Sequence, residues 1–313
     1  MNYCPITFEP IEKEQIYSAK GLRSIAPALK KLNPLEFSSA DLRLEAIRRS
    51  TKISIQGVQP KLSAKILPSQ NCFSLVDNGG TYILKPSSET WPELPANEAL
   101  TMTLAKTVSL EVPVHGLLHN QEGDWCYFIK RFDRYQKNKK YAVEDFAQLS
   151  GATRDTKYKS SMEKVAKIID KFCTFPTQEK IKLFTLTIFS YLVGNEDMHL
   201  KNFSLITRDE IVQLSPIYDL LNTSVALENV MEEIALPLNG KKHKLQLDDF
   251  TNYYAKAILG LNDKVIAQIF NNFAKNIAIW PELIKRSKLS DQMKAKYSEL
   301  FKARTKNLRM IRS

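Results

Sequence analysis

Along this chain the spacing of apolar positions changes from strand-like to predominantly helical, and that change divides the sequence. Residues 52–66 place Ile53, Ile55, Val58, Leu62 and Ile66 around Gly57, which predicts two strands joined by a turn. The runs 72–75 and 81–84 are further short strands, separated by Asp77-Asn78-Gly79-Gly80, the chemistry of a hairpin turn. The period then shifts. Leu100, Thr103, Leu104 and Val108 recur at helical spacing behind Pro95, so 93–108 is predicted as a helix. Strands are predicted again over 112–118 and 125–132. From about Ala142 the pattern is mainly helical. Thr177 precedes a helix with Ile181, Phe184, Ile188 and Leu192 on one face, and Gly194 is placed to end it. Residues 246–272 and 277–310 also carry helical periodicity.

A β-rich part with one embedded helix, followed by a helical part, reads as α+β and not as alternating βαβ units. It is also the layout of a two-lobed kinase, with a small N-lobe expected over 1–131 and a helical C-lobe over 132–313. Hydrophobic residues at 43% and charged residues at 25% describe an ordinary core-forming chain and argue against extensive disorder. A formal net charge of +11 would attract nucleotides, nucleic acids or acidic proteins without choosing among them. Residues 301–313 hold five basic side chains and no acid, which reads as a solvated terminal helix. Cys4, Cys72, Cys126 and Cys173 form neither a zinc pattern nor a disulfide framework and fit a reducing compartment. The start of the chain lacks a signal layout, and the longest apolar run, 184–193, is too short to span a bilayer. A cytoplasmic protein with no membrane contact is expected.

The chemistry concentrates in 194–202, GNEDMHLKN. Asp197 and Asn202 stand at the separation that protein kinases use for the catalytic Asp and the metal-binding Asn. A carboxylate there accepts the proton of the attacking hydroxyl while an amide oxygen holds magnesium on the phosphates. A polar turn after a helix accounts for the same residues when they are read alone. Downstream, Asp219 sits between apolar neighbours in SPIYDLL, after a strand-like run at 203–206 and a turn near Arg208-Asp209. A second metal-binding acid fits it, and so does a helix N-cap. Upstream, Ser54 to Lys61 (SIQGVQPK) offers one glycine, backbone amides and a lysine, though it is not a Walker A loop. Lys85 in YILKP has the apolar-apolar-Lys form of the kinase strand lysine.

Taken together, SIQGVQPK, YILKP, PANEALTMTLAKTVSLEVP, KRFDR, EDFAQLSG, GNEDMHLKN and SPIYDLL resemble the HipA family, the kinase toxins of bacterial toxin–antitoxin systems. The resemblance implies an ATP- and magnesium-dependent serine/threonine protein kinase. Asp197 would be its base, with Asn202 and Asp219 as magnesium ligands. Lys85 would contact the α/β-phosphates, with Glu98 a candidate partner. Gln56, Gly57, Val58, Gln59, Pro60 and Lys61 would cradle phosphate. Lys130, Arg131 and Phe132 would lie beside adenine, and His199, Lys201 and Tyr218 would complete the nucleotide site; a structural role for His199 fits as well. Ser54 aligns with an autophosphorylated serine, and a phosphate there would switch the kinase off or alter partner binding.

The chain looks like the short HipT form, for which a small HipS-like protein would supply an N-terminal piece. The position of that group's second serine is Gln56 here. By resemblance the substrate is an aminoacyl-tRNA synthetase, the tryptophanyl enzyme first, and a HipB-like antitoxin carries any DNA contact. Two other readings compete: a small-molecule kinase of the aminoglycoside or choline type, and a DNA-associated repressor subunit. The first uses the order HxDxxxxN where this chain has DxHxxN, and for the second no helix-turn-helix or zinc pattern is found.

Overall fold

The computed structural model describes residues 2–49, 59–91, 93–136, 139–153, 155–226 and 232–310. Ser54, Gln56, Gly57 and Val58, and the first of the two strands predicted over 52–66, therefore lie outside the described residues. The chain forms two compact units: Met1–Thr103 with Pro113–Asn138 and Glu282–Ser290, and Leu104–Val112 with Lys139–Pro281 and Asp291–Ser313. A single cut after Arg131 does not describe this division, because 104–112 and 282–290 each join the unit that the cut would deny them.

The first unit is built on a five-stranded antiparallel sheet. Its strands are β1 (Leu62–Leu67), β2 (Cys72–Leu75), β3 (Tyr82–Lys85), β4 (His115–His119) and β5 (Trp125–Lys130), in the order β2-β1-β3-β5-β4. Leu62, Ala64, Tyr82, Leu84, Leu118 and Phe128 bury one face of it in a shared core with Leu22, Leu29 and Leu42 from the first fifty residues. Helix α1 (Leu94–Thr107) follows β3 as its periodicity predicts.

The turn at 77–80 is not a hairpin. β2 and β3 both pair with β1 and not with each other: Ala64 faces Leu75 on one edge and Tyr82 on the other. Val76 and Thr81 donate their N–H groups to Ser63 and Ala64, so the connection crosses β1. Asp, Asn and Gly favour a turn, but they do not decide which neighbour the next strand will take. Gly80 lies against β1 so closely that a Cβ there would stand 2.0 Å from Ser63 Oγ and 3.1 Å from the Ala64 nitrogen. Gly80→Ala is expected to destabilise this unit by about 1–3 kcal/mol, the usual cost of overpacking. Denaturant titration checks this, beside Gly79→Ala, where φ is 70° but nothing lies within 4 Å of an added Cβ, so that backbone strain is separated from steric contact.

The second unit is mainly helical. Helix α2 (Met162–Phe172) is followed by α3 (Pro176–Val193), the central helix, in which residues 186–193 are all buried. An aromatic stack closes around α3: Phe189 meets Trp280 at 5.7 Å, Trp280 meets Phe301 at 5.0 Å, and Tyr191 meets Phe250 at 4.9 Å between ring centroids. Residues 142–145, expected to open a helical stretch, instead form β6 (Ala142–Asp145). It pairs with β7 (Ser204–Arg208), which turns through Asp209 and Glu210 into β8 (Ile211–Leu214). Both turn residues have positive φ, 48° and 65°, as a two-residue hairpin requires. Four residues are too few to show a period, and cross-strand pairing decided this segment.

Residues Asp249–Ile258 wind as a π-helix where ordinary helix was expected. The last helix, α4 (Asp291–Asn307), is not simply solvated. Phe301, Arg304 and Thr305 are buried, and Arg304 bonds Glu233 at 3.0 Å with its guanidinium 4.4 Å from the centre of the Tyr191 ring.

Candidate active site

Helix α3 ends at Gly194, whose left-handed conformation (φ 67°, ψ 39°) sends its N–H back to Ser190 and Tyr191. A Cβ at Gly194 would meet Ser224 Oγ at 2.6 Å and Leu300 Cδ2 at 2.7 Å, so glycine is required for space as well as for backbone. The loop that follows is anchored from beneath. Asn195 is fully buried, the Glu196 N–H donates to Thr223 Oγ1 at 2.8 Å, and the Ser224 hydroxyl donates to the Glu196 carboxylate. Burial pushes the Glu196 carboxyl above its ordinary value.

The five-residue step from Asp197 to Asn202 is closed by the Asp197 carbonyl. It accepts the His199 N–H at 2.8 Å and the Asn202 side-chain Nδ2 at 2.7 Å. With Nδ2 committed inward, the Asn202 Oδ1 receives no hydrogen bond from any described residue. An amide oxygen in that state is a ready ligand for a hard cation. The Asp197 side chain stays 43% exposed, with the Tyr158 hydroxyl bonded to its Oδ1.

His199 is buried, and its Nε2 lies 2.6 Å from Lys157 Nζ. An ammonium only donates, so Nε2 accepts and the ring proton sits on Nδ1, which has no hydrogen-bond partner among the described residues. Burial lowers the His199 pKa, against the opposing pull of the Asp197 and Asp219 carboxylates. Asp197 and Asn202 are thus joined through one carbonyl, and Asp219 lies near enough for its charge to act on His199. Lys201 is half-buried beside them.

Asp219 adopts φ 59°, a left-handed backbone that a non-glycine residue rarely holds without support. Support comes from its neighbour. The Tyr218 hydroxyl donates to the Lys201 carbonyl at 2.9 Å and therefore receives the Ser204 hydroxyl at 2.5 Å. Tyr218 thus ties the Asp219 segment to the loop through its phenol. Among the described residues no group of three or more His, Cys, Asp or Glu could hold a metal.

In the first unit, Lys85 on β3 and Glu98 on α1 form an ion pair at 2.6 Å, with side chains 6% and 0% exposed. The Lys85 ammonium also lies 5.6 Å from the centre of the Tyr127 ring. Gln59, Pro60 and Lys61 lead half-buried into β1, and Gln59 Nε2 has no hydrogen-bond partner among the described residues. At the end of β5, the N–H groups of Lys130 and Arg131 are taken by the carbonyls of Val114 and Thr81. The Arg131 guanidinium is bidentate on Asp133 at 2.9 and 2.7 Å, which makes that side chain structural, while Phe132 is half-buried. Sequence reasoning missed Lys157, Tyr158, Thr223 and Ser224, because nothing in their local pattern points to residues about 30 to 40 positions away.

The chain is similar to known proteins in both sequence and fold. Residues 53–280 match the family model of the HipA-like C-terminal domain. A protein of Haemophilus influenzae, provisionally named a kinase, is 30% identical over 335 aligned residues, covering 96% of this chain and 92% of its own. The serine/threonine-protein kinase toxin HipA of Shewanella oneidensis is 25% identical over 60% of this chain. This chain spans 47% of that relative's length. Among solved structures, HipA from the complex of Shewanella oneidensis HipA, HipB and operator DNA superposes with a TM-score of 0.67 at 18% identity. That match covers 97% of this chain and 82% of the other, and it identifies the fold as α+β and kinase-like.

Proposed function

The chain belongs to the HipA family of kinases, and on that premise we propose that it transfers the γ-phosphate of ATP to serine or threonine hydroxyls of a protein. The observation that carries this reading is the Asp197–Asn202 loop, a half-exposed carboxylate fixed beside an amide oxygen that is left open for a cation. ATP is the substrate. Lys85, held by Glu98, neutralises its α- and β-phosphates, and Gln59 to Lys61 supply donors toward the phosphate chain. The His199 Nδ1–H offers one more donor to a phosphate oxygen. Asn202 and Asp219 would hold magnesium, which would offset the charge that builds on the transferred phosphoryl group. Asp197 accepts the proton of the attacking hydroxyl.

Resemblance to the Shewanella toxin supports a toxin role, and the complex of that protein with HipB and DNA supports a HipB-like antitoxin through which any DNA contact runs. Family resemblance alone supports an aminoacyl-tRNA synthetase, the tryptophanyl enzyme first, as the protein substrate, and Ser54 as the autophosphorylated residue.

Phosphosite mapping by mass spectrometry tests the reading, after incubation of the chain with ATP, magnesium and a bacterial lysate. Phosphate is expected on serine or threonine of lysate proteins and on Ser54. Phosphate found only on added small alcohols would replace the protein-kinase reading with the small-molecule one.

A further inference from the structure

The short stretch that leads into α2 touches the Asp197 loop at three points, all within the helical unit. The Leu200 N–H donates to the Lys157 carbonyl at 3.3 Å. Lys157 Nζ reaches His199 Nε2 at 2.6 Å, and the Tyr158 hydroxyl donates to Asp197 Oδ1. The Tyr158 ring stands edge-on to the His199 ring with centroids 4.9 Å apart, while Lys157 Nζ lies 4.9 Å from the centre of the Tyr158 ring. The stretch is itself braced. The Thr153 N–H donates to Thr156 Oγ1 at 2.8 Å and the Lys159 N–H to the Thr156 carbonyl at 2.8 Å. Just beyond, Ser161 caps α2 and the Met162 N–H is fixed on Pro237 at 3.0 Å. Tyr158 is thus presented to Asp197 from a closed turn.

A carboxylate on a freely rotating side chain makes a poor base, because the proton must arrive along one direction. General bases are accordingly oriented by a third group. Here Tyr158 occupies Oδ1, whereas no described residue donates to Oδ2. Burial, and after it the neighbouring Asp197, raise the Tyr158 pKa, so the phenol keeps its proton and remains the donor.

We propose that Tyr158 is a positioning residue for phosphoryl transfer: its hydroxyl holds Asp197 by Oδ1 so that Oδ2 faces the acceptor hydroxyl, while Lys157 fixes His199 with its proton on Nδ1. This rests on Asp197 being the base. In the step, the acceptor oxygen forms a bond to the γ-phosphorus as the bond from that phosphorus to the bridging oxygen breaks. The acceptor proton passes to Oδ2, ADP carries away the electron pair of the broken bond, and Tyr158 neither gains nor loses a proton.

Tyr158→Phe removes one oxygen and leaves the ring on His199. Initial rates are measured with γ-labelled ATP, magnesium and the proteins of a bacterial lysate as acceptors, beside Asp197→Asn and the double variant. The rate at saturating ATP should fall about 10–100-fold in Tyr158→Phe, the scale of a misplaced catalytic group. The KM for ATP should stay within about twofold, since the lost hydroxyl touches Asp197 and none of the groups assigned to ATP. The thermal midpoint should shift little, because the ring, its contact with His199 and the bonds that brace the turn all remain. In the Asp197→Asn background the same change should cost nothing further, as expected of residues acting as a unit. A wild-type rate in Tyr158→Phe beside an inactive Asp197→Asn would overturn the positioning role alone. A raised rate would overturn it too, by showing that the hydroxyl blocks the acceptor position. An active Asp197→Asn would instead remove the base assignment on which the proposal rests.

Discussion

Asp197→Asn is expected to lower phosphoryl transfer by about 10²–10⁴-fold, the range over which a positioned general base contributes. The substitution is nearly isosteric, so its effect isolates basicity from shape. The Asp197 carbonyl, which receives the His199 N–H and Asn202 Nδ2, is a main-chain group and stays where it is. The amide oxygen of the new side chain can still receive the Tyr158 hydroxyl. ATP binding should therefore be retained while turnover collapses. Measured together, an unchanged dissociation constant for ATP and a lost rate identify a group needed only in the transition state. Loss of both in parallel would mark Asp197 as a binding or structural residue.

The second large effect belongs to the buried pair Lys85–Glu98. Glu98→Ala or Lys85→Ala breaks an ion pair that is buried on both sides, at a cost of about 3–5 kcal/mol. The double change Lys85→Met with Glu98→Leu removes both charges and keeps apolar volume, so it should recover most of that loss. Phosphoryl transfer should not recover with it. A cation aimed at phosphate is worth at least the roughly 10²-fold lost when one such donor is removed. Denaturant titration and initial rates on the same four proteins separate the two roles. If the stable double variant also regained activity, Lys85 would be a structural residue and the phosphate contact would have to lie elsewhere.

Much of this site can be read from the chain before any fold is known. The spacing of Asp197 and Asn202, the Gly194 helix stop and the apolar-Lys of Lys85 are local patterns, and the fold respects them. Glu98, named only as a candidate partner, does meet Lys85, because helix α1 follows β3 and turns that position inward. What stayed illegible depends on distant partners. The hairpin expected at 77–80 failed because β1, which precedes both flanking strands in the chain, offers each of them an edge at Ala64. The strand 142–145 has no period of its own and exists through pairing with β7. Arg304 looked like one more solvated base until Glu233 and Tyr191 enclosed it. Tyr158 reaches Asp197 across 39 positions, a contact that no window of sequence contains.

The central claim is that the loop at Asp197 performs magnesium-dependent phosphoryl transfer to protein. The most direct measurement follows label from γ-labelled ATP onto lysate proteins, for the native chain with magnesium, with magnesium chelated, and for Asp197→Asn with magnesium. Label on protein in the first reaction and its loss in the other two is the predicted result. Label that persists at the native rate in the Asp197 variant, or that never reaches protein with the native chain, would contradict it.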